Sequence, residues 1–289
     1  MSVSARDLRR RIHGARKVHQ VTSAIERVTA VRLATGMSRL HGARPYLERL
    51  EQLAAQLMRL SGEPTREPPA ERAAGGRHAI VVFGGDRALC GAFHHGLVYR
   101  LENALRRERA EDVVLIVVGR VIRSILRTRG LRISEFLPQP TAETAPTALR
   151  QFADRLLARF ENGTWREVSV LFSRFVSRLK QEPTLLRILP VPMPPAPAPP
   201  AARGAQPPQL EPGPAALLAR ILPALVRARV YHAYLHSRMS ELAARQIGMA
   251  GASENARTMA DELAVAYNRL RQESITAEVR EITLGSMAR

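Results

Sequence analysis

The sequence predicts a mixed fold of the α+β and α/β kinds. The two ends of the chain form a long antiparallel coiled coil, and a small α/β domain with a mostly parallel sheet is inserted between them. Three observations carry this. Apolar residues recur at three- and four-residue steps through both ends of the chain, the signature of amphipathic helix. Short β-branched runs alternate with helical stretches in the middle. A proline-rich tract then separates that middle from the second helical end.

The first predicted element is a coiled-coil helix over about residues 1–60, with Leu8, Ile12, Ala15, Ile25, Leu40, Leu50 and Leu57 on its apolar stripe and arginines over much of the rest. A pattern this long exceeds an ordinary globular helix. Pro45 is expected to kink or fray it. A Pro/Glu/Gly stretch at 61–76 breaks the pattern. The α/β domain follows over about 77–192, with strands at His78–Phe83, Val113–Val118, Val168–Val176 and Thr184–Leu189, the last antiparallel at an edge. Helices are expected at Phe93–Arg107 and Thr147–Phe160. Residues 193–213 lie in a tract holding 11 of the 20 prolines, between Pro190 and Pro214, and read as an extended linker. The last element, 214–289, is the second coiled-coil helix, with Pro223 absorbed early by a first turn or a kink. At about 1.5 Å per residue a helix of roughly 70 residues spans on the order of 100 Å. The two rods must therefore pack on each other, on another protein, or both.

Composition narrows the function. The 289 residues carry 44 basic and 26 acidic side chains, a formal net charge of +18, and all the basic residues but Lys17 and Lys180 are arginine. That charge suits a polyanion partner and equally suits solvated arginine-rich helix faces, so by itself it identifies nothing. Aromatics make up only 4%, too few for base-stacking platforms. No run approaches 18 apolar residues, and the first residues lack a signal-peptide core, so the chain is expected to stay in the compartment where it is made. The single cysteine, Cys90, excludes an internal disulfide and fits a reducing cytoplasm.

Candidate chemistry is sparse. The loop Gly84-Gly85-Asp86-Arg87-Ala88-Leu89-Cys90-Gly91 sits between a strand and a helix, where phosphate loops sit, but lacks their spacing and their lysine. It reads as a tight turn. Cys90 has His94 and His95 close in sequence, yet its small neighbours favour a buried thiol. His232 and His236 share a helix face but have no third ligand in reach of the pattern, and read as helix surface or coiled-coil flank. No catalytic residue, cofactor or metal ligand is predicted.

The ordered motifs of the last helix are more specific. Ser240-Glu241-Leu242-Ala243-Ala244-Arg245, Gly248-Met249-Ala250 and Asn255-Ala256 lead into Tyr267-Asn268-Arg269-Leu270-Arg271-Gln272-Glu273-Ser274-Ile275-Thr276-Ala277-Glu278, closed by Glu281-Ile282 and Gly285. Arg10-Arg11-Ile12, Val21 to Val28 and Arg44-Pro45-Tyr46 match in the first helix, and Asp86-Arg87-Ala88-Leu89-Cys90-Gly91 matches in the middle. In this order, over nearly the whole chain, they resemble the gamma-subunit family of F-type ATP synthases. Departures are Gly84-Gly85 in place of a Ser/Thr-containing pair, Ser253-Glu254, and the proline tract. They are compatible with a divergent, alternate-type bacterial version. The plant-type regulatory cysteine pair is absent.

The resemblance implies a central rotor shaft, itself without an active site. Its coiled coil stands in a ring of three alpha–beta pairs, its α/β domain lies near the epsilon subunit and the membrane c-ring, and proton or sodium flow turns it to drive ATP synthesis or hydrolysis. It implies a peripheral position on the cytoplasmic face of the bacterial inner membrane. It also implies contacts with the catalytic head at Arg245, Gln272 and Thr276, with Glu278 nearby. Arg27 stands where the family usually has Met, near an acidic segment of beta. The competing reading, a basic coiled-coil protein that binds nucleic acid, predicts steeply salt-dependent affinity. An enzyme built on the α/β insert is the third.

Overall fold

A computed structural model describes residues 4–61, 76–109, 112–191 and 211–287. Residues 62–75, most of the Pro/Glu/Gly stretch at 61–76, and 192–210, which include most of the linker predicted at 193–213, lie outside the described residues. The described chain divides into two compact units.

The elements in order are α1 (Ala5–Ser61), β1 (Arg77–Phe83), α2 (Phe93–Leu105), β2 (Val113–Val118), α3 (Arg120–Thr128), β3 (Glu135–Leu137), α4 (Ala145–Glu161), β4 (Trp165–Phe175), β5 (Gln181–Leu189) and α5 (Pro214–Met287). α1 is capped by Ser4, whose hydroxyl accepts the Asp7 N–H at 3.2 Å while donating to the Asp7 carboxylate. Pro45 neither ends nor frays α1. It sits on the exposed face, where the carbonyl left without a donor can reach water. Pro214 opens α5 at the position that needs no N–H bond. Pro223, however, lies in the third turn, later than the sequence suggests. Two elements, α3 and β3, are additions to the sequence reading.

The larger unit spans 32–244. Its five strands run in the order β3-β2-β1-β4-β5, parallel except for the β4–β5 hairpin at one edge. β1 is central, so both its faces are covered and its sequence reads as one apolar run. Ala79, Val81 and Phe83 face α4 and the inner lengths of α1 and α5, whereas Ile80 and Val82 face α2 and α3. In this unit α1 and α5 run antiparallel. The Met239 thioether lies over Gly36, and further along Glu51 accepts from Arg229 at 3.0 Å.

The smaller unit pairs residues up to Val31 with residues from Arg245 onward. Among the described residues, Leu8, Ile12, Ala15 and Thr29 of α1, and Arg245, Met249, Ser253, Ala256 and Ala260 of α5, are its buried side chains. His19 Nδ1 lies 3.0 Å from both the carbonyl and the hydroxyl oxygen of Ser253. Between Asp261 and Arg280 only Leu263, Ala264, Tyr267 and Leu270 are half-buried, at helical spacing, and 271–280 are exposed throughout.

Candidate functional site

In an open α/β sheet, ligands bind beyond the carboxyl ends of the strands, where the strand order reverses. Here the reversal falls between β1 and β4. The loop after β1 turns there on small residues. The Gly84 N–H donates to Val118 O at 2.9 Å, and the Val121 N–H to Gly85 O at 3.1 Å. Gly119 has φ +116° and lies so close that a Cβ would come 2.8 Å from the Gly85 nitrogen. The N-terminus of α3, which a phosphate would occupy in a nucleotide site, is taken by Asp86. Its Oδ1 accepts the Arg120 N–H at 2.8 Å and the Gln139 N–H at 3.3 Å. Cys90 is buried as the sequence suggests, and His94 Nε2 lies 3.4 Å from the Arg87 carbonyl oxygen.

The crevice itself is filled by α5. The Ser237 hydroxyl donates to Phe83 O at 2.6 Å and accepts the Ser173 N–H at 3.3 Å, so it stitches β1 to β4. The Ser240 hydroxyl donates to Ser173 O at 2.9 Å. Glu241 is fully buried (0 % exposed) and accepts from Arg238 at 2.7 Å and from the Gln139 side-chain amide at 2.9 Å. Gln139 also donates to Gly84 O at 3.2 Å and accepts from Arg238 at 2.8 Å. Tyr234 donates to Pro140 O at 2.8 Å, and burial pushes its phenol up to about 12. Ser240-Glu241 therefore serves the fold at this point, and its partner Gln139 carries no sequence signal.

The histidines are more embedded than a helix surface. His232 and His236 meet edge to face at 4.6 Å, and His236 Nδ1 accepts the Phe175 N–H at 3.2 Å. Burial holds both imidazoles below their usual range, His236 at about 4 with His232 beside it adding to the effect. Among the described residues no group of three or more His, Cys, Asp or Glu could hold a metal. The structure also assembles a set the sequence hides. His78 Nδ1 lies 2.5 Å from Glu108, and its Nε2 lies 3.0 Å from Ser169 Oγ. This resembles a serine nucleophile with its base, but Ser169 is 2 % exposed and its hydroxyl also donates to Glu167. It ties the start of β1 to β4 and to the loop before β2.

Of the five residues that the resemblance singles out, Arg27, Gln272, Thr276 and Glu278 are exposed, the last three on the stretch of α5 that the described residues leave uncovered. The Thr276 hydroxyl is tied to the Gln272 carbonyl at 2.8 Å. Arg245 is only 6 % exposed.

A sheet whose ligand crevice is closed by its own helix, together with a long helix left exposed over 271–280, defines a structural subunit. Comparison with known proteins gives the family. A family model described as ATP synthase matches residues 4–288. The ATP synthase gamma chain of Heliobacterium modesticaldum is 30% identical over 287 residues, covering 98% of each chain. That of Desulfitobacterium hafniense is 32% identical over 293 residues, covering 99% of each. The rotor of the Euglena gracilis mitochondrial ATP synthase has the same fold, with a TM-score of 0.65 at 18% identity, covering 94% of this chain and 98% of that one. The chain belongs to the ATP synthase gamma chain family. It is a non-catalytic central-stalk subunit of an F-type ATP synthase and a peripheral part of that membrane-bound complex. No helix among the described residues is long and apolar enough to cross a membrane. The comparisons give no support to the nucleic-acid reading.

Proposed function

We propose that the bare end of α5 is the part of the shaft that turns inside the catalytic head. The observation that carries this is the run 271–280, exposed throughout, with Ile275 at 48 % and Val279 at 56 %. Apolar side chains held in water on a single helix are stabilised by a surrounding protein surface. Three alpha–beta pairs form that sleeve, and the shaft turns against it while ATP chemistry proceeds in the beta subunits. The epsilon subunit and the c-ring engage the α/β domain, and proton or sodium flow through the ring supplies the torque. Given bacterial relatives of nearly equal length, the complex sits on the cytoplasmic face of the bacterial inner membrane.

Gln272, Thr276 and Glu278 are the head contacts at the bare end. Arg27 adds a charge-assisted contact to an acidic segment of beta. Arg245, nearly covered already, contributes through the residues that cover it. The domain limits 1–60, 77–192, 193–213 and 214–289 describe the parts of this machine: helix, α/β domain, linker and second helix.

Co-expression with the neighbouring alpha and beta subunits, followed by gel filtration and an ATPase assay, tests the role. One copy of this chain per three alpha–beta pairs, with multi-site ATPase only when it is present, is the expected result. Failure to co-assemble, with salt-sensitive RNA binding instead, overturns it.

A further inference from the structure

A shaft carries torque only as well as its α/β domain is fixed against rolling around the helix that leaves it. Apolar packing resists separation but has little directional preference, whereas hydrogen bonds fix orientation. In the larger unit the directional bonds from α5 to the sheet concentrate within two turns. With about 3.6 residues per turn, the side chains of His236, Ser240, Ser237, Glu241, Tyr234 and Arg238 follow one another around an arc of about 200°. In that same angular order their partners are Phe175 and Ser173 at the end of β4, Phe83 at the end of β1, then Gln139 and Pro140 after β3. The helix thus lies across the strand ends and is held by them over more than half its circumference.

One group in the arc is unlike the others. The Glu241 carboxylate is fully buried and pressed against the loop after β1, so that a Cβ on Gly85 would come 2.7 Å from its carboxyl carbon. A buried charge is tolerated only when its partners are fixed. Two of its partners, Arg238 and Gln139, are themselves joined, and the Gln139 side chain bonds Glu241, Arg238 and Gly84 at once.

We propose that the Tyr234–Glu241 turns of α5 are the torsional key of the rotor, with Gln139 as the positioning residue that locks the sheet to the shaft. The proposal rests on the stalk role. It assigns the passage of torque from the α/β domain into α5 to this polar arc, distinct from the bare end that meets the head.

Single-molecule rotation of the assembled head tests it. A bead is attached through Thr128→Cys on exposed α3, Cys90 being buried, and its angular spread is recorded during catalytic pauses. Gln139→Met keeps the volume and removes three side-chain bonds, and it is expected to widen that spread by about twofold because the network acts as a unit. ATP turnover stays unchanged, while the melting temperature falls modestly because the buried Glu241 carboxylate and the Gly84 carbonyl each lose a donor. Glu241→Gln, which keeps the shape and loses the charge, should widen the spread less. An unchanged spread in both variants overturns the proposal, as does a loss of ATPase in step with the widening. A complex of unsubstituted subunits that never rotates removes the stalk role and this proposal with it.

Discussion

The inner and outer lengths of α5 use one helix in opposite ways. From Leu225 to Ala244 most side chains are buried, and many of the polar ones are bonded to strand ends, to the loop after β3, to α1 or to α4, as Arg229 is to Glu51 and Arg227 to Asp154 at 2.5 Å. From Asp261 to Arg280 no side chain is buried, and Val265, Ile275 and Val279 stand in solvent. The inner length is specified by its own chain. The outer length is left for another. A rotor needs both, a grip at one end and a smooth surface with few fixed polar bonds at the other.

The sharpest way to break the inner region is at Gly119. Its positive φ and its 2.8 Å approach to the Gly85 nitrogen leave no room for a side chain, so Gly119→Val should cost about 3 kcal/mol or more. Urea unfolding, or loss of soluble subunit, would register it. Next comes Glu241→Ala, which strands the Arg238 and Gln139 groups and should cost about 2–3 kcal/mol by the same measurement.

The pH response follows from His236. Its folded value, about 4, lies below the ordinary histidine value of 6.5, so the unfolded chain binds the extra proton first. The contribution is complete above pH 6.5 and is lost as pH falls from there toward 4. Protonation removes the lone pair that accepts the Phe175 N–H. Discounted for partial exposure, the effect is about 1 kcal/mol. Unfolding curves at pH 7.5 and 5 should separate less for His236→Gln than for the unsubstituted chain.

The outer region should behave in the reverse manner. Ile275→Ser should change subunit stability by less than about 0.5 kcal/mol, since the side chain is exposed, while lowering the ATPase of the assembled head. The smallest effect is expected for Arg27→Met. It should leave unfolding unchanged and alter only the temperature dependence of ATP hydrolysis.

What could be read from the sequence follows the same division. Both long helices, four of the five strands and the antiparallel edge were legible because burial on one or two faces imposes a period on the residues. β3 was not, since three residues at an edge impose none, nor was α3, whose nine residues are too short a run for a helical period to stand out. Ser240 and Glu241 stood out as a motif, but their partners could not. Gln139 lies on a loop about a hundred positions away in the chain, and only the fold brings it to the carboxylate. The buried His78–Ser169 pair was hidden for the same reason. The bare end gave the opposite difficulty. Its periodicity predicts a coiled coil, yet no described residue of this chain covers 271–280.

Hydrogen exchange on the free subunit and on the subunit assembled with alpha and beta compares the two lengths directly. The account predicts that amides at 261–280 slow by about tenfold or more on assembly, because a single helix that opens locally becomes enclosed, while those at 225–244 keep their rates. Unchanged exchange at 261–280 in an assembled, active complex would contradict it.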